Sequence, residues 1–243
     1  MSTLLQPSMA EVWTRCPGSV FWLGRQEGDN LYQMPRDLKY GIVAHIVAAN
    51  ALRGEFNLFL HLRRRRLIPA DKKRELAIHA KWYRDKIAEL SPKNPLGYGI
   101  EATIRLESII HEKHAKGKVD YFCYDAEQMM IFDYKHGQIP VKVKNNRQLW
   151  LYAAGLLETK PWWRGKKVTV AIIQPTLQSV QKQTFTAETV RKLARAYEKK
   201  ANEALQARSV LPELATYKPL KSVCMWCRGE AKCLATKKQQ ASN

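Results

Sequence analysis

Asp120, Asp133 and Lys135 are the residues of this chain whose types and spacing could do chemistry. They lie in Lys118 to Tyr124 and Met129 to Lys135, two short segments rich in branched and aromatic residues that read as strands. A hairpin turning at Ala126 and Glu127 sets Asp120 opposite Asp133. Side chains alternate along a strand, so Asp133 and Lys135 share a face and leave Phe132 and Tyr134 on the other. The expected result is two carboxylates and an ammonium converging on one face. Like charges directly opposite destabilise a strand pair, and a divalent cation between them removes the conflict. Hard oxygen ligands suit Mg²⁺ or Mn²⁺. Such a cation, with Lys135 beside it, has the parts needed for phosphodiester hydrolysis. By itself an Asp-x-Lys strand is an ordinary exposed ion pair, so the surrounding elements have to carry weight.

Those elements read as α/β. Helices are expected over Pro7 to Trp22, Asp37 to Leu52 and Ala70 to Leu90, with Pro35 and Pro69 as punctuation. Gly99 to Glu107 joins the two strands above in an antiparallel meander. A helix over Asn145 to Leu157 and a buried strand over Val168 to Ile173 follow, giving a central mixed sheet flanked by helices. Val190, Leu193, Ala194, Tyr197, Ala201, Ala204 and Leu205 make one apolar stripe on a helix from Ala187 to Ala207. No internal repeat and no long linker divides the chain. One domain is expected over residues 1–243: a helical part (1–95), a core (96–210), and a cysteine cluster with a polar tail (211–243).

Three ordered motifs resemble the RecB-like branch of the PD-(D/E)XK nuclease superfamily. They are Gly117-Lys-Val-Asp120, Ile131-Phe-Asp-Tyr-Lys135-His-Gly137 and Gln148-Leu-Trp-Leu-Tyr152. Upstream, Gly41-Ile-Val-Ala-His45 is similar to that branch's Gly-x-x-x-His element. The resemblance implies a restriction-endonuclease-like core and a metal site of His45, Asp120 and Asp133, with Glu101 as a further acidic ligand and Glu107 as its competitor. It also implies catalytic roles for Asp120, Asp133, Lys135, Gln148 and Tyr152. Gln148 and Tyr152 are four apart, hence on one helical face, where an amide and a phenol can reach a phosphate. At finer grain, Arg15-Cys-Pro-Gly-Ser-Val20, Asn146-Arg-Gln-Leu149 and Ile172-Ile-Gln-Pro175 resemble small RecB-like proteins of phages and prophages. Asp133 stands where many of those relatives carry Glu.

The cysteines form a second line. Cys224, Cys227 and Cys233 fall within ten residues, and Cys16 lies near the other end. Four thiols can close around zinc or an iron–sulfur cluster, and spacing does not choose. A distant N-terminal cysteine followed by C-x2-C-x5-C resembles the [4Fe–4S] arrangement of AddB and of the CRISPR adaptation nucleases. That resemblance implies a structural cluster tying the first helix to the C-terminal segment. Cys123, inside a strand on the face opposite Asp120, is expected in the core.

Forty-one Lys and Arg against 22 Asp and Glu leave +19, a field that attracts polyanions. Arg63, Arg64, Arg65 and Arg66, with Lys72, Lys73 and Arg74, could track a DNA backbone, and Trp82 and Tyr83 could stack on bases. A solvated helix face and loop is the plainer reading of that segment. Trp162 and Trp163 could serve similarly or cap the core. No apolar run approaches the roughly 20 residues that span a bilayer, and Met1 to Ala10 lacks a signal-peptide pattern. A cytoplasmic protein is expected, in a bacterial host's cytoplasm if phage-encoded. The expected partner is DNA, single-stranded or with a free end, together with phage recombination or replication proteins, and no membrane. Three activities fit: an end-directed or single-strand-preferring exonuclease, a DNA-binding accessory protein that does not cut, and an end-processing enzyme like the CRISPR relatives.

Overall fold

The computed structural model describes residues 4–23, 36–55, 68–227, 229 and 233. After short N-terminal turns come two long helices, α1 (Arg36–Leu52) and α2 (Ala70–Leu90). Five strands follow: β1 (Gly97–Arg105), β2 (Lys116–Tyr124), β3 (Gln128–Tyr134), β4 (Lys167–Gln174) and β5 (Ser179–Thr186). Helix α3 (Arg147–Thr159) links β3 to β4, and α4 (Ala187–Arg208) follows β5.

The strands lie in sequence order in one sheet. Only β3 and β4 run parallel, as a helical crossover requires. All other neighbours are antiparallel, so the sheet is mixed and the fold is α/β. The hairpin turns where expected: Tyr121 pairs Phe132, Phe122 pairs Ile131 and Tyr124 pairs Met129. Each face of the sheet carries its own core. Leu149, Leu151 and Leu156 of α3 and Val190, Tyr197 and Ala201 of α4 pack on Val119, Ile131 and Val170. Val43, Ala44 and Val47 of α1 and Leu76, Ala80 and Tyr83 of α2 pack on Tyr121, Phe132 and Ile173. Buried on both faces, β3 and β4 read as continuous apolar runs.

Two expectations are corrected. Pro7 to Trp22 is not one helix but short turns at Pro7–Met9, Ala10–Trp13, Pro17–Ser19 and Val20–Leu23. Pro17 lacks the amide hydrogen that a continuous helix needs there. The broken segment folds back on the molecule: Trp13 is fully buried, and Val12 and Val20 join the α3 and α4 layer. The second correction is β5, which sequence periodicity missed. Ser-Val-Gln-Lys-Gln-Thr-Phe-Thr is an edge strand with half-exposed positions, and it lacks the apolar alternation of a half-buried strand.

Among the described residues, no helix is long and apolar enough to cross a membrane.

Candidate active site and cysteine cavity

The alternation of faces breaks in the middle of the β1–β2 pair. Val119 and Phe122 both face α3 and α4, whereas Ile100 and Tyr121 face α1 and α2. The break falls at Glu101 and Asp120. Glu101 has φ +50°, left-handed backbone that costs a non-glycine residue about 1–3 kcal/mol and collects at functional sites. This local twist frees both carboxylates from the regular pattern.

Asp120 turns toward α1, yet stays close enough to Asp133 and Lys135 for their charges to interact. Its Oδ1 lies 3.0 Å from Nδ1 of His45 on α1. Its Oδ2 accepts the Tyr134 N–H at 2.7 Å, so a side chain takes over where the β2–β3 ladder stops. Cys123 is buried as expected, but with Tyr121 on the α1 and α2 side, the side from which His45 reaches Asp120. Asp133 is bonded to α3. Its Oδ2 is 2.9 Å from the Lys135 ammonium, and its Oδ1 accepts from Gln148 Nε2 at 3.2 Å. Gln148 Oε1 accepts from Lys135 at 3.1 Å, and its amide also donates to the Tyr152 hydroxyl at 2.9 Å. The site straddles the ends of the strands between the two helical layers.

Its charges are mutually dependent. Burial pushes the Asp133 carboxyl above its usual range; the Lys135 charge opposes this and Asp120 adds to it. Burial alone would lower Lys135, but the charge and hydrogen bond of Asp133 outweigh it and hold the ammonium above its ordinary value. His45 behaves alike: burial lowers it, Asp120 outweighs the burial, and the net shift is upward. Two acidic groups thus recruit cationic character from both sides. The ligand atoms of His45, Glu101 and Asp120 lie within 4.8 Å of one another, while Asp133 stands outside that group. Glu101 is paired to Lys118. Glu107, its competitor, instead begins a helical turn and accepts the His114 N–H.

Local sequence explains the positions. Asn146 caps α3 by accepting the Leu149 N–H at 3.2 Å, and Asn145 takes the positive φ that the entry requires. That phasing aims Gln148 and Tyr152 at the sheet. A Cβ on Gly117 would come within 2.9 Å of Pro7 and 3.1 Å of the Tyr152 ring. Gly117→Val is thus expected to lose about 1–3 kcal/mol in chemical denaturation through overpacking. A variant as stable as the parent would show that Tyr152 has room to move.

Gln174, of the Ile172-Ile-Gln-Pro175 motif, has a role the sequence did not declare. It is buried, its amide donates to the carbonyls of Gly137 and Ile139, and its Oε1 accepts the Val141 N–H. Gln181 of β5 does the same for Val141 and Val143. Together they staple the loop that follows Lys135. Arg147, also unforeseen, bonds Thr14 at 2.6 Å and Glu11 at 3.1 Å, joining the start of α3 to the N-terminal turns.

Cys16, Cys224, Cys227 and Cys233 line one small cavity, with Val12, Trp22 and Tyr217 among its walls. Burial raises the Cys16 and Cys227 thiols, and the neighbouring cysteines reinforce the shift. The Lys218 N–H points at Cys16 Sγ at 3.4 Å.

Of the basic segment, Arg63 to Arg66 lie outside the described residues. Lys72 is paired to Glu75. Tyr83 is buried in the core, which removes it as a stacking face. Trp82 is half-buried, with Lys86 5.9 Å from its ring. Lys73 is half-buried and Arg74 exposed on α2. Trp163 caps the core, its indole donating to the Asp125 carbonyl, while Trp162 is exposed.

A solved structure described as "Crystal structure of SSO0001" is similar over 80% of this chain and 85% of its own, at 12% identity and a TM-score of 0.37. A likeness that low does not bear on the chemistry. The family model described as "Protein of unknown function (DUF2800)" matches residues 2–243, and the chain belongs to that family.

Proposed function

We propose that this chain is a metal-dependent DNA nuclease of the RecB-like branch of the PD-(D/E)XK superfamily. On this reading it is a single-strand-preferring or end-directed exonuclease serving phage recombination or replication. The observation that carries the reading is the hydrogen-bonded set of Asp120, Asp133, Lys135, His45 and Gln148 at the strand ends. A structural protein gains little from it, because burying a carboxylate and an ammonium together costs about as much as their attraction returns.

The donor set suits Mg²⁺ or Mn²⁺: carboxylates from Glu101 and Asp120 with one imidazole from His45, and Asp133 alongside. A divalent cation held there supplies Lewis-acid activation of water and neutralises charge gathering on the phosphate. The chain's own residues do the rest. Lys135, fixed between Asp133 and Gln148, offers a positive charge that needs no reorganisation during reaction. Gln148 holds Lys135 and Asp133 at once, and Tyr152 fixes the amide. The net charge of +19 draws the polyanion in.

The four cysteines would hold a [4Fe–4S] cluster as a structural tie, with zinc as the other candidate.

Digestion of end-labelled single- and double-stranded DNA with Mg²⁺ or Mn²⁺ tests the nuclease. Cutting that stops with EDTA and with Asp133→Ala is the expected result. Tight binding with no cutting by the parent protein would make the chain an accessory binder instead.

A further inference from the structure

We infer a second metal site, for a borderline divalent transition ion such as Zn²⁺, built by Glu75, His79 and His136. It shares no residue with the group of His45, Glu101 and Asp120, and it stands whether or not the chain is a nuclease.

The site arises from two periodicities. Glu75 and His79 are four apart on α2 and so lie on one helical face. His136 follows the end of β3 two residues after Tyr134, which faces the α1 and α2 layer. The three ligand atoms lie within 4.8 Å of one another. The rings of His79 and His136 are 5.6 Å apart and tilted by 59°, so neither covers the other. Nitrogens sharing one zinc sit about 3–4 Å apart, so closure asks only for small side-chain rotations.

Two further features point to an ion. His79 Nδ1 is buried and has no hydrogen-bond partner, an expense that folded chains avoid unless something else binds there. His136 Nδ1 lies 3.4 Å from the Tyr134 hydroxyl, the outer contact that orients a ligating imidazole and leaves Nε2 for the metal. Lys72 is paired to Glu75, so an ion bound there shares that carboxylate with the ammonium or displaces it. Two imidazoles and one carboxylate form a set that selects zinc-like ions over Mg²⁺ and keeps a fourth position for water. An ion there would join α2 to the residue directly after Lys135. The ring of Tyr134 touches both His45 and His136, so the two sites are neighbours without being one.

The test uses the full chain labelled with ¹⁵N, whose six histidines give few imidazole signals. On titration with Zn²⁺, the His79 and His136 signals are expected to shift together and each to lock into one tautomer. Equilibrium dialysis should show about one equivalent of zinc lost in His79→Gln and in His136→Gln, and that equivalent kept in Asp120→Asn. Still signals for His79 and His136 in the unmodified protein would overturn the proposal, even if the variants misfold. Loss of that equivalent in Asp120→Asn would also overturn it, by merging the two sites.

Discussion

Asp120→Asn is expected to bind single-stranded DNA within a few-fold of the parent affinity and to cut it about 10³-fold more slowly or not at all. The substitution keeps the volume and leaves one side-chain oxygen to accept the Tyr134 N–H, so the strand ends should hold. What it removes is the charge that faces His45 and that a cation would need. On the nuclease reading, affinity would rest mainly on phosphate neutralisation by a surplus of +19, to which one lost carboxylate does no harm. Lys135→Ala should match the loss of cutting, since removing one preorganised electrostatic group costs roughly 10²–10³ in rate. It should also lower stability, because Asp133, only 2% exposed, loses its ion pair. Thermal melting alongside the kinetics separates the two effects in Lys135→Ala. Parallel loss of binding and cutting in Asp120→Asn, with an intact melt, would falsify the catalytic assignment.

The second large effect concerns the cysteine cavity. Protein purified without oxygen should be brown, absorb near ~400 nm and contain stoichiometric iron. Cys16→Ser should lose most of that iron and melt roughly 10 °C lower. The figure follows from a tie between Cys16 and Cys224 that closes a loop of about 200 residues, a constraint of order 5 kcal/mol if it acts as a cross-link of that span. Colourless protein with one zinc would assign the tie to zinc. Unchanged iron and melting in Cys16→Ser would remove that residue from the set.

Much of this architecture was legible because it depends on local rules. The bounds of α2, the hairpin register and the stripe on α4 follow from apolar periodicity and punctuation by proline and turn residues. What was not legible depends on contacts between distant segments. Alternation set Asp120 opposite Asp133 but did not show Asp120 turned to His45; nothing in Gly-Ile-Glu-Ala announces the positive φ of Glu101. Edge strand β5 hides because exposed strands need little apolar surface. Glu75 and His79 could be noticed as a helical pair, but their meeting with His136 requires the packing of α2 against the sheet. Arg147 looked like one more basic residue until Glu11 and Thr14 came to it.

The Arg147 contact has a bearing on the order of synthesis. The N-terminal turns that hold Thr14 and Glu11 against the start of α3 also carry Cys16, whose cavity is completed by Cys224, Cys227 and Cys233. A ribosome that has delivered the chain through α3 has released both carboxylates, Lys135 and Gln148. It has not yet released the segment that closes around Cys16. The cavity around Cys16 is therefore completed after the Arg147 contact can form, and a chain still attached to its ribosome carries Asp120, Asp133, Lys135 and Gln148 before that closure.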